Sequence, residues 1–297
     1  MGLAALTAAL LFGQPDPAAL IPLYKRALAE REKAFGPEHP KVARAASDLG
    51  LLLRNSAKPA EAEPYLRRAL KIDEQVLGAD SSVAGEDLEN LASVLPNSEA
   101  LPLYQVASRH KDTRIAARNL SKLASMAPDR VSALRLYREA LAKEETAARL
   151  NDVALLVEPK EAEPLLRRAL AMQEKAVGPR HPETAATLNN LADALLASGR
   201  VAHAETLSRR AVEIFEKTLG PGNPRVATSM SNLADILRAK KDYAGARRYY
   251  ERALAIDEKA YGPKHAEVAV DIENLAGLLD EMGRREEARK LRGRAAR

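Results

Sequence analysis

The chain has no cysteine and no tryptophan in 297 residues, and only three phenylalanines. Without thiols, disulfide staples, thiolate metal ligands and cysteine nucleophiles are excluded. With so few aromatics, the core has to be packed from aliphatic side chains, and base-stacking platforms are scarce. No glycine-rich phosphate loop, paired-histidine helix motif or nucleophile elbow occurs, so no enzyme chemistry, cofactor or metal is expected. Apolar runs are short. The longest, within residues 1–14, is below the length of a membrane span. Charge of one sign is confined. The net charge is +5, and residues 284–297 hold seven basic and two acidic side chains, so the rest of the chain sums to zero. A basic stripe that could follow a phosphate backbone is therefore missing, which argues against nucleic acid as a partner. The basic tail reads as a solvated cap, or as a contact for an acidic partner or anionic surface.

What the chain has instead is a period. Gly178 and Gly220 each open a block of 42 residues with Gly-Pro, Gly262-Pro263 opens a further copy, and the step from Gly36 to Gly78 has the same length. A fixed period of this size marks a stacked-repeat architecture. In the block at Gly220, Val226, Leu233, Ile236 and Leu237 recur at helical spacing after Asn223-Pro224, which reads as an N-cap followed by proline at the first helical position. A second amphipathic run covers Tyr243 to Tyr261 and is stopped by Gly262-Pro263. Each block is thus two antiparallel helices, A and B. Small residues fill matching slots: Gly50, Ala92, Ser121, Ala154, Ala192, Ala234 and Ala276 in the A helices, and Ala62, Ala100, Ala133, Ala162, Ala204, Ala246 and Ala288 in the B helices. Seven residues after each B-helix slot stands another alanine, from Ala69 to Ala295. Small side chains at fixed places let helix backbones approach, and one pair cannot bury its faces alone, so neighbours must stack.

The motifs G-P-x-H-P, L-N-N-L-A and A-E-x-L-x-R-R-A-L resemble the 42-residue tetratricopeptide repeats of kinesin light chains and their bacterial relatives over essentially the whole chain. The resemblance implies an all-α, right-handed α-solenoid superhelix of about eight helix pairs that binds protein or peptide. The expected repeats are 1–35, 36–77, 78–111, 112–144, 145–177, 178–219, 220–261 and 262–297, the last carrying the basic cap helix. Residues 1–14 read either as helix A of the first repeat or as the apolar core of a secretory signal. A cytoplasmic location follows from the first reading and export from the second. The middle is irregular. From Gly78 to Gly178 is 100 residues, not a multiple of 42, with A helices expected at 83–95, 113–125 and 146–157 and B helices at 98–109, 129–142 and 159–177. These three repeats approach the ordinary form of about 34 residues, so a change of twist is expected there.

His39, His181 and His265 share one linker slot, with Asn223 in another copy, so capping of the next helix explains them better than metal binding. The pairs Arg67-Arg68, Arg167-Arg168, Arg209-Arg210 and Arg247-Arg248 read as a solvated face, since Glu63, Glu163 and Glu205 stand four residues ahead of Arg67, Arg167 and Arg209. The A helices should line a concave groove. Around their small-residue slot stand the candidate binding residues Asn90, Arg118, Asn119, Lys122, Asn189, Asn190, Asp193, Asn232, Asp235 and Asn274. Asparagine carries both a donor and an acceptor, which suits an extended peptide backbone. The resemblance implies that Asn189, Asn190, Asn232 and Asn274 contact cargo, while the competing role for any of them is to fix repeat stacking. Arg44, Arg118 and Lys122 favour acidic segments in the first half, and Asp193, Asp235 and Glu273 favour basic ones in the second. The alternative function is a structural or assembly module that engages partners through its convex face or its ends.

Overall fold

The computed structural model describes residues 17–295, among which there are fifteen α-helices and no strand. The choice between an A helix and a signal for residues 1–14 lies outside the described residues. Residues up to Glu144 form one compact unit and those from Glu145 a second.

In the first unit a 3-10 turn at Pro17–Leu20 leads into α1 (Ile21–Phe35), followed by α2 (Pro40–Asn55), α3 (Pro59–Leu77), α4 (Ser82–Ala92), α5 (Asn97–Ala107), α6 (Thr113–Ser125) and α7 (Arg130–Lys143). Each helix packs on the next, α2 also touches α4, and α4 touches α6, so the A helices form one layer and the B helices another. The second unit repeats this plan. It consists of α8 (Ala147–Ala154), α9 (Pro159–Ala176), α10 (Pro182–Ala197), α11 (Val201–Leu219), α12 (Pro224–Ala239), α13 (Tyr243–Tyr261), α14 (Ala266–Glu281) and α15 (Arg285–Ala295), with α10 touching α12. Two expected A helices are shorter than their apolar pattern. α4 ends at Ala92 and α8 at Ala154, because the residues beyond them form turns leading to Pro96 and Pro159. The residue before a proline disfavours helix, and here the turn begins earlier still.

Local chemistry sets the helix starts. His39, His181 and His265 each accept a backbone N–H at Nδ1, from Lys41 at 3.1 Å, Glu183 at 3.2 Å and Glu267 at 3.2 Å, while Asn223 accepts from Arg225 at 2.9 Å. The expected capping role is therefore the one these side chains play. The helix ends at Gly36, Gly78, Gly220 and Gly262 have φ of 84–90° and ψ of 148–159°, a region open in practice only to glycine. That is why glycine stands at these helix ends.

The small-residue slots are buried as the repeat demands. Ala92, Ala192, Ala234, Ala276, Ala62, Ala204, Ala246 and Ala288 are nearly inaccessible, and only Ser121 and Ala133, both of the α6–α7 pair, remain half-buried. At Gly50 a Cβ would lie 2.6 Å from Cγ and Cδ2 of Leu66, itself fully buried. Alanine fits this slot elsewhere in the chain but not here, where leucine already fills the gap. Gly50→Ala should therefore lower stability by about 1 kcal/mol in urea unfolding, overpacking outweighing the gain in helix propensity.

Arg68 and Arg210, each second in its pair, do more than solvate, and Arg252 and Arg294 act alike from the same slot six residues after the B-helix small residue. Arg210 Nη2 reaches Glu174 at 2.7 Å and the Pro179 carbonyl at 3.0 Å, and Arg252 reaches Glu216 at 2.7 Å. Arg68 bonds Glu32 and the Pro37 carbonyl in the same way, and Arg294 bonds Glu258. These contacts tie α3 to α1, α11 to α9, α13 to α11 and α15 to α13. The first arginines make the expected i−4 pairs, such as Arg209 with Glu205 at 2.9 Å. Such pairs are exposed, and each contributes at most about 1 kcal/mol.

Candidate functional site

Counting from the small-residue slot of each A helix shows how the A layer is held. The residue three before the slot bonds the residue five before the slot of the next A helix. Ser47 Oγ donates to Asp87 Oδ1 at 2.9 Å, Asn151 Nδ2 to Thr187 Oγ1 at 3.0 Å, Ser229 Oγ to Asn189 Oδ1 at 3.1 Å, and Ser231 Oγ to Asp271 Oδ1 at 3.2 Å. Sequence reasoning missed the column of Asp87, Thr187, Ser229 and Asp271. Its signal was a run of short polar residues at an inward-facing position, where an amphipathic helix should be apolar.

This staple divides the candidate residues. Asn119 is fully buried, with Nδ2 donating to the Ile115 carbonyl of its own helix at 2.8 Å. Asn189 is mostly buried and spends its carbonyl oxygen on Ser229. Asn190 Nδ2 donates to Asn151 Oδ1 at 2.8 Å and Asn232 Nδ2 to Asp193 Oδ2 at 3.1 Å, and both remain partly open. Among the described residues, Asn90 and Asn274 are half-buried with no side-chain bond, and Lys122 is exposed with no ion pair. Arg118 is engaged by Glu89 at 2.9 Å and Arg44 by Asp48 at 3.2 Å. The positive charge expected in the first half is thus largely spent within the protein.

Each unit has a cleft in this layer. The first, of about 550 Å³, lies between α2, the end of α3, and α4, and includes Arg44, Asp48, Asp73, Asp87, Asn90 and Arg118. The second, of about 190 Å³, lies between α10, α11 and α12 and is lined by Ala186, Asn189, Asn190, Phe215, Arg225, Thr228 and Asn232. The two occupy equivalent places in their repeats. The guanidinium of Arg225 lies 4.9 Å from the Phe215 ring centre, a cation–π contact at the floor of the second cleft. Asp193 and Asp235 stand side by side on α10 and α12. Withdrawal from water first, and the Asp235 carboxylate second, raise the Asp193 pKa. Asp235 is raised by burial, and the hydroxyl of Tyr250, which donates to it, offsets part of that rise. Among the described residues no group of three His, Cys, Asp or Glu is placed to hold a metal, and no helix is long and apolar enough to cross a membrane.

The family model described as tetratricopeptide repeat matches residues 4–95, 156–217, 187–259 and 225–297. The chain belongs to the tetratricopeptide repeat family. The unmatched stretch, residues 96–155, is where the 42-residue period fails. Among solved structures, the tetratricopeptide repeat chain is similar to a Rap protein complexed with Competence and Sporulation Factor, at 14% identity and a TM-score of 0.64 over 85% of this chain and 75% of that one. It is also similar to the apo form of RapI, at 15% identity and a TM-score of 0.60 over 86% and 75%. A putative kinesin light chain repeat protein of Podosopora anserina aligns at 21% identity over 87% of this chain and 94% of that one, with a TM-score of 0.42. At these identities the likeness is one of fold. No curated protein matches the chain by sequence.

Proposed function

We propose that this tetratricopeptide repeat chain is a non-enzymatic scaffold that holds an extended polypeptide against its A-helix layer, through the cleft in each unit. The observation that carries the reading is the recurrence of an open, polar cleft at the same repeat position in both units. Asn190 and Asn232 keep their Oδ1 acceptors and one Nδ2 hydrogen each beyond their internal bonds, and so offer both kinds of group that a peptide backbone needs. The Rap protein, whose structure in complex with Competence and Sporulation Factor shares this fold, lends analogy and no residue roles.

Asn119, fully buried and bonded to the Ile115 carbonyl of its own helix, is left out of the proposed contact set. The proposed set is Asn90 in the first unit and Asn190, Asn232 and Asn274 in the second, where Asp193 accepts from Asn232 and stands beside Asp235. The test is Asn190→Ala with Asn232→Ala in the full chain, assayed by capture of copurifying partners and then by affinity for the captured segment. Affinity should fall roughly tenfold to a hundredfold, two lost hydrogen bonds at about 1 kcal/mol each, with helicity unchanged. Undiminished binding would exclude the groove. A second reading, a partner on the B-helix side, is favoured by the exposure of Val106 (62%) and Val131 (79%) on α5 and α7. It predicts loss of capture on Val106→Lys instead.

A further inference from the structure

The A-layer staple has a third corner, the B-helix residue eleven after that helix's small-residue slot. In two joints the corner is filled without charge. Gln173 Oε1 accepts from Thr187 at 2.6 Å, and Phe215 packs where Ser229 bonds Asn189. In the other two joints the same pair of positions holds two aspartates, Asp73 with Asp87 in the first unit and Asp257 with Asp271 in the second. All four are 3–6% exposed. The carboxyls of each pair are within hydrogen-bonding reach of one another. Yet Asp87 Oδ2, Asp257 Oδ1 and Asp271 Oδ2 have no donor among the described residues. Two buried carboxylates side by side, with no lysine or arginine paired to either, cannot both stay ionised.

We propose that each aspartate pair shares one proton, and that loss of this proton loosens the joint between consecutive repeats. A proton fits the site better than a bound cation, because the orphan oxygens are sealed from solvent. It turns one orphan oxygen into a donor for the neighbouring carboxylate and removes the like-charge repulsion. The surroundings supply no substitute. Asp87 faces Ser47 from α2, Asp73 from α3 and Glu86 on its own helix, while the nearby Arg44 and Arg118 are taken by Asp48 and Glu89. Asp271 faces Ser231 from α12, Asp257 from α13 and Glu267 on its own helix, and His265 at the start of α14 acts on Asp257. Arg292 of α15 is held by Glu273 and Asp280. Burial, and then the partner aspartate, push Asp87 up to about 7, and burial followed by Asp257 does the same to Asp271. Because Asp73 and Asp87 also line the first cleft, protonation sets its spacing. This inference does not depend on the groove reading.

The sign follows from linkage. The folded pKa lies above the unfolded value near 3.8, so the stabilisation is full below that value, declines as pH rises, and is gone above about 7. Within that window the folding constant should fall by up to about tenfold per pH unit for each pair. The experiment compares thermal unfolding of the full wild-type chain and of Asp87→Asn with Asp271→Asn from pH 5 to pH 8, together with carboxyl carbon NMR titration of the wild type. Asparagine mimics the protonated acid. The melting temperature of the wild type should drop relative to the variant as pH rises, and the Asp87 and Asp271 carboxyls should titrate well above the ordinary carboxylate range. Parallel melting profiles, or titration of both carboxyls in the ordinary range, would overturn the proposal. If the double variant fails to fold, the wild-type titration alone decides.

Discussion

Tyr250→Ala should lower the unfolding free energy of the second unit by about 3–5 kcal/mol in urea titration followed by circular dichroism. Tyr250 lies on α13 with no exposed surface, in the core built by α10 to α15. Truncation would leave a ring-sized void between an A helix and a B helix, in an interior with no slack to close it. The hydroxyl adds a second contribution. It donates to the Asp235 carboxylate of α12, so Tyr250→Phe should cost about 1–3 kcal/mol by leaving that acid short of a partner. Burial already raises the Asp235 pKa and the Tyr250 bond lowers it, so the phenylalanine variant should raise it further, which NMR titration would detect. An alanine variant as stable as the wild type would mean that the α12–α13 interface is not packed as described.

The second large effect comes from the opposite change. Ala234 has no exposed surface and shares its core with Ala246, Tyr250 and Ala253. Ala234→Leu should destabilise by about 1–3 kcal/mol, or separate the helices to make room. Because stability in repeat arrays passes between neighbours, the loss should extend to the adjoining pairs and lower the urea slope as cooperativity breaks. Leu155, 62% exposed on the A layer, is the control, and its replacement by alanine should change stability by less than about 0.5 kcal/mol.

Most of the architecture could be read from residues, because the signals were local or strictly periodic. A proline after His39, His181 or Asn223 fixes a helix start, and Gly-Pro fixes an end, whatever the rest of the chain does. The alanine columns announced the packing, since only small residues at both slots let two helices meet. What stayed hidden depends on side chains from separate repeats. Arg68 and Arg210 read as solvated because their partners, Glu32 and Glu174, lie 36 residues back. Asn119 and Asn190 occupy the same column, yet one is sealed and the other open, which depends on the helices around them. The aspartate pairs were invisible for the same reason. Asp73 and Asp87 look like ordinary surface acids until two helices bring them together.

Site-specific photocrosslinking tests the scaffold reading most directly. A photoreactive residue at Asn232, on the open side of the α12 staple, is compared with one at the exposed Thr206 of α11, each in the full-length chain. The account predicts crosslinks to a polypeptide partner from position 232 and few or none from position 206. Crosslinks from position 206 alone would contradict it and place the partner on the B helices.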